Sequence, residues 1–295
     1  MFVHGLIVSG IEVKRGILMS GSFYLSPPRS EADARAFPIE PMQRKIREKG
    51  YSSLKEAPVD VLLEAQAEIP VPSVFMQQDD CFTGWQNKTG AIDDLLIGDC
   101  EFESILWRNG VEAMTAHQIV ESFDKAGASS KELKELYHIN PERPTQCKHG
   151  ALDFLNDLVW VLPTLTITRL FRDESKKAYS YLFDQANPWQ ASSRAHHAVD
   201  LIYLFGGFDM SGNPSAEALG REMRRRFVLF IHGDSPWAHD KALAFGPLGE
   251  VRELDDADVS ARRRTRQVER LQRMESTDIK AAFGSLAAGR ISLHN

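Results

Sequence analysis

Asp93-Asp-Leu-Leu-Ile-Gly-Asp-Cys-Glu-Phe-Glu103 is the stretch on which the fold turns. Its first half is a short apolar run of the kind carried by a strand buried on both faces of a parallel sheet, and its second half is an acidic loop. Working outward, Gly16-Ile-Leu-Met-Ser-Gly-Ser22 reads as a second buried strand, with Ser20 and Ser22 as turn residues. Ala178-Tyr-Ser-Tyr-Leu-Phe183 alternates in the β manner and reads as a third. Residues 242–245 and 251–254 flank Gly246-Pro-Leu-Gly249 as a hairpin.

Helical patterns fill the intervals. They are predicted over residues 2–8, stopped by Gly10, and over 41–49, 53–67, 111–125, 130–137 and 216–232. Residues 149–172 form a long amphipathic stretch with a kink or break expected at Pro163. Residues 198–205 read as helical or mixed, and 24–36 as loop. An irregular stretch punctuated by Pro70, Pro72, Gly84 and Gly90 follows residue 67. A charged helix is predicted over 257–274, running into a small polar tail. Strands separated by helices imply an α/β protein with a mostly parallel sheet flanked by helices. Three good core strands are few for so many helices, so the sheet is expected to be partial.

The 295 residues carry a formal charge of −6, which argues against a nucleic-acid binder, since phosphate contacts need a basic face. Three cysteines without a CxxC motif indicate neither a disulfide framework nor a zinc site. The apolar opening lacks the basic n-region of a signal peptide, and no run of about 18 apolar residues predicts a membrane span. Neither compartment nor oligomeric state follows from these features.

Three places carry candidate chemistry. Glu103 follows a buried strand, and reactive groups in open α/β sheets gather at the carboxyl ends of strands. A carboxylate there can orient a histidine, can stand solvated in a turn, or can join Asp99 and Glu101 as an oxygen ligand for a hard cation. The companion ligands and glycine of a calcium loop are missing for the last of these. His197, in Arg194-Ala-His-His-Ala-Val-Asp200, lies beyond the last core strand, where a histidine can reach across the sheet as a general base. A structural histidine is the competing reading, and the vicinal pair His196-His197 has no spaced third ligand for a metal. Finally, Arg262-Arg-Arg-Thr-Arg266, with Arg270 and Arg273, can form a phosphate-binding strip, but it alternates with acids, has no interleaved aromatics and reads rather as the solvated face of a terminal helix. Glu103 precedes His197, the chain order of the acid and base in α/β-hydrolases, yet no G-x-S-x-G occurs.

Gly16–Ser22 resembles the R-A-I-L-Q-S-G-S strand after the nucleophile helix of type-B carboxylesterases and cholinesterases. Ile97-Gly-Asp-Cys-Glu-Phe-Glu-Ser104 resembles that family's G-x-x-x-D-E-G segment, whose glutamate is the triad acid. Counting from the shared glycine places it on Glu103; Phe102 and Ser104 stand in place of Asp and Gly, which leaves Glu101 open. Ala195-His-His-Ala-Val-Asp-Leu-Ile-Tyr-Leu-Phe-Gly206 is similar to the H-G-x-E…F-x-F-G segment, with its catalytic histidine on His197 and Ala198 where glycine is usual. Met223–Trp237 is similar to the late helix and the turn that follows it.

The resemblance implies the C-terminal part of an α/β-hydrolase fold over residues 1–255, with N-terminal strands missing and a charged helix and tail over 256–295. It implies serine-based hydrolysis of small-molecule or lipid esters without cofactor or metal, with Glu103 and His197 as acid and base. Phe154, Trp160, Phe171 and the aromatics near Trp85 are candidate pocket linings, or plain core. The chain is expected to begin just after the nucleophile elbow, without the oxyanion-hole segment, and so to be inactive alone and aggregation-prone. The alternative is a non-catalytic esterase-like binding protein.

Overall fold

The computed structural model describes residues 1–69 and 76–287. The reading of Pro70 and Pro72 as punctuation and that of the tail beyond residue 287 lie outside the described residues. Five strands form one sheet in the order β1 (Arg15–Met19), β2 (Asp94–Cys100), β3 (Lys177–Phe183), β4 (Ala242–Phe245) and β5 (Val251–Leu254). The first four run parallel and β5 returns antiparallel to β4, which makes the hairpin. The five include the three buried strands and the hairpin read from the sequence. Gly98 falls in β2 because a Cβ there would meet the carbonyl oxygen of Tyr181 on β3 at 2.4 Å.

Alternation along the strands divides the core. Leu18, Leu95, Ile97 and Ala178 face one layer, packed on α1 (Phe2–Val8) through Ile7 and Val8. Leu96, Tyr179, Tyr181 and Phe183 face the opposite layer. The segment joining β1 to β2 holds α2 (Glu31–Ala34), α3 (Glu40–Glu48) and α4 (Val59–Glu68), whose own small core is Ile46, Ala57 and Ala65. Residues 31–36 therefore are not loop: Ser30 accepts from the Asp33 amide and starts α2 as an N-cap.

Between β2 and β3 the predicted helix 111–125 is two helices, α5 (Arg108–Ala113) and α6 (Ala116–Asp124). The reason is a capping box: Thr115 accepts from the Gln118 amide while Gln118 reaches back to the Thr115 amide, so a new helix starts there. After α7 (Ser130–Leu136), α8 (Pro144–Asn156) and α9 (Leu162–Asp173) join through a π-turn at Asp157–Val161. Pro163 stands in the first turn of α9, where a missing N–H matters least, so the chain is re-registered by the π-turn rather than broken at the proline. Together these segments run unbroken from Pro144 to Asp173, the one helix among the described residues long and apolar enough to cross a membrane. Its apolar side is spent inside the protein: Phe154, Leu155, Trp160, Ile167 and Phe171 are all buried in the core.

α10 (Val199–Phe205) and α11 (Pro214–His232) cover the Tyr181 face, α11 through Met223, Phe227 and Phe230. The predicted helix 257–274 is instead α12 (Asp256–Arg263) and α13 (Thr265–Gln272), with Arg264 between them at φ 45°. α14 (Ser276–Leu286) follows and buries Ile279, Ala282 and Leu286 in the same cluster as Trp107, Phe154 and Trp160.

Candidate active site

The carboxyl ends of β1, β2 and β3 deliver the polar groups. Glu103, three residues past β2, is fully buried. One of its oxygens, Oε2, bonds Nδ1 of His197; the other, Oε1, accepts from the Ser20 hydroxyl and, at 2.6 Å, from the Cys100 amide. A carboxylate with this many donors stays in place and can hold an imidazole with its Nε2 facing outward. Among the described residues no group hydrogen-bonds that Nε2.

His197 is held from two sides. The Phe102 amide donates to the Ala195 carbonyl at 2.9 Å, so the acid loop and the base loop bridge at Phe102 and His196. The Trp160 ring lies 6.1 Å from the His197 ring, and its Nε1 donates to the Ser20 carbonyl at 2.8 Å. Trp160 lies within the π-turn at Asp157–Val161. It abuts the site while being buried, whereas Phe154 and Phe171 are core residues.

Burial disfavours the imidazolium of His197, but the hydrogen bond it donates to Glu103 and the charges of Glu103 and Asp200 outweigh it and raise its pKa above 6.5. Asp200 is itself buried, takes a hydrogen bond from Tyr181 at 3.2 Å, and is pushed up to about 6 by burial and by Glu103. Ala198 adopts φ 65°, the left-handed conformation that favours glycine, at a strain of about 1–2 kcal/mol. This is the physical content of the Ala-for-Gly departure read from the sequence.

Of the three acids weighed as joint cation ligands, each faces a different cationic partner. Asp99 pairs with Arg263, Glu101 with Arg194 at 2.6 Å, and Glu103 with His197. Glu101 is thus turned away from the histidine. His196 bonds Asn187 through Nε2 at 3.0 Å. The arginine segment corrects the sequence reading more sharply: Arg263 is 3% exposed and bridges Asp99 and Asp184, and Arg264 grips buried Asp157 at 2.7 Å. Alternating charges looked like a solvated face because the acids that receive these arginines lie 78 or more residues away in sequence. Ser20 does stand in a bend after β1, at φ 52°, but the sequence reading missed that its hydroxyl also serves Glu103. The signal was present: Ser20, like Glu103, follows the carboxyl end of a core strand.

Against known proteins, residues 12–254 match the model of the carboxylesterase family. The chain belongs to that family. Relatives include Lipase 1 of Yarrowia lipolytica, 28% identical over 62% of this chain and 36% of the relative, and Lipase 3 of the same yeast, 25% identical over 77% of this chain and 46% of the relative. A medium-chain fatty acyl-CoA hydrolase precursor of Anas platyrhynchos is 26% identical over 48% of this chain and 29% of its own length. The chain thus spans less than half the length of the curated relatives it matches. A carboxylesterase of Geobacillus stearothermophilus shares the fold, with a TM-score of 0.66 at 22% identity, over 88% of this chain and 60% of that one. The five-stranded sheet with its helices is accordingly part of an α/β-hydrolase fold.

Proposed function

We propose that the protein hydrolyses carboxylic esters through a serine acyl-enzyme, and that these 295 residues supply the base, His197, and its orienting acid, Glu103. The observation that carries this reading is the buried Glu103–His197 hydrogen bond, which leaves Nε2 free to take a proton. In the reaction a serine Oγ would bond the ester carbonyl carbon while Nε2 accepts its proton; the C–O bond to the alcohol breaks as that proton is returned to the leaving oxygen. Water, deprotonated by the same nitrogen, then bonds the acyl carbon, and the acyl–Oγ bond breaks as that proton passes to the serine Oγ, which frees the acid. Glu103 stabilises the imidazolium at both stages. The substrate is an acyl ester of small-molecule or lipid type, in keeping with relatives named lipases and an acyl-CoA hydrolase.

The nucleophile belongs to residues outside this stretch. In support, the sequence has no G-x-S-x-G, and the nearest strand-end serine, Ser20, bonds Glu103 rather than the histidine. Removing a triad serine lowers turnover on the order of 10⁶-fold in a serine protease, so this chain alone is expected to be without measurable esterase activity. Treatment with a fluorophosphonate probe tests the point: the 295-residue chain should remain unlabelled, and covalent labelling of it would sink the assignment of the nucleophile elsewhere.

A further inference from the structure

Arg263 ends α12, beyond residue 254 where the family match stops. It is buried, as is Asp99, while its second acid partner, Asp184, is half-buried. Its Nε donates to Asp99 Oδ1 at 2.6 Å, its Nη1 to Asp184 Oδ1 at 2.8 Å, and its Nη2 to the main-chain carbonyl of Asp99 at 3.2 Å. Asp99 is the next-to-last residue of strand β2 and Asp184 directly follows β3, so one guanidinium ties the roots of the two loops that carry Glu103 and His197.

The third bond has a chemical consequence. The Asp99 carbonyl and the Cys100 N–H belong to one planar peptide unit. Arg263 binds its oxygen, and its N–H donates at 2.6 Å to the Glu103 carboxylate that holds His197. A cation on the carbonyl polarises the peptide, strengthens the N–H as a donor and fixes the plane's rotation.

We propose that Arg263 is a positioning residue for Glu103, acting through the Asp99–Cys100 peptide; this rests on the reading of Glu103 and His197 given above. The arginine has a purpose beyond joining α12 to the sheet: it sets the carboxylate that sets the imidazole. A merely electrostatic role predicts the opposite outcome in one measurable respect. Removing a nearby cation by itself favours the imidazolium and raises the His197 pKa. Loosening the Glu103 hydrogen bond lowers it, because burial then prevails.

The test is nitrogen-edited NMR of the 295-residue chain, following the His197 ring and its Nδ1 proton through a pH titration. The parent chain should show a far-downfield Nδ1 proton and a midpoint above 6.5; their absence would refute the Glu103–His197 pairing and this inference with it. In Arg263→Met the downfield proton should be lost and the midpoint should fall. Arg263→Lys keeps a cation between the two acids, and so the fold should Met fail to fold, but a point charge cannot make the three divergent bonds. It should therefore lose the downfield proton and lower the midpoint too. A parent-like titration in either variant, or a rise with the downfield proton retained, overturns the proposal while leaving the pairing itself intact.

Discussion

Lys45 on α3 and Lys49 at its C-terminal end reach Glu48, Glu64 and Glu68 at 2.8 to 3.3 Å, all of them partly exposed. At the carboxyl end of the sheet Arg263 meets Asp99 and Asp184 at 2.6 and 2.8 Å, with Arg263 and Asp99 buried and the Asp184 side chain 8% exposed. The distances are alike, but the settings are opposite. In water the lysine–glutamate cluster gains little over its hydrated components and is screened by salt. In the interior the arginine and its acids have surrendered hydration, so each makes the others tolerable and none can be removed alone. The first cluster fastens a small satellite core to itself. The second fixes the loops that carry the candidate acid and base, and it ties the helices after β5 to that end of the sheet.

The contrast can be broken most directly at Arg263. Replacing it with Met leaves the buried Asp99 carboxylate unpaired, while Asp184 keeps Arg262 at 2.7 Å, and is expected to lower the unfolding free energy by about 3–5 kcal/mol, measured by urea denaturation near neutral pH; a loss no larger than that of a surface ion pair would erase the distinction drawn here. Next in size is Asp200→Asn. Asp200 titrates near 6 in the folded protein against 3.8 when unperturbed. Its raised pKa means that the folded state holds the proton more tightly, so its contribution is complete below pH 3.8 and is lost as pH rises through about 6. Asn cannot ionise, so at pH 8 the variant should be more stable by about 3 kcal/mol, and near pH 4 it should match the parent. Thermal melts at the two pH values compare them, and a gain at pH 4 as large as that at pH 8 would contradict the assignment. The smallest effect is expected at Lys49→Ala, whose melting temperature in moderate salt should match the parent's; a clear drop would mean that the α3–α4 cluster holds more than its exposure suggests.

Much of the fold was legible in the chain. The strands Arg15–Met19, Asp94–Cys100 and Lys177–Phe183 announce themselves as apolar runs because both their faces are buried, and burial dictates composition. Glu103 and His197 were legible as candidates from their place after core strands and their order. Local chemistry that was overlooked, such as the Thr115–Gln118 capping box, was readable too.

What the sequence determined by itself, then, is what local periodicity and short-range chemistry can encode: strand and helix identity, the parallel class of the sheet, and the residue types able to act as acid and base. Only the tertiary structure decided which carboxylate meets the histidine, that Ser20 serves Glu103, that Trp160 abuts the site from within a π-turn, and that Arg263 is buried rather than solvated. Each of these rests on partners brought together from distant parts of the chain. A charged side chain in sequence carries no mark of whether water or an opposite charge will receive it, and that difference is settled only when the chain closes around it.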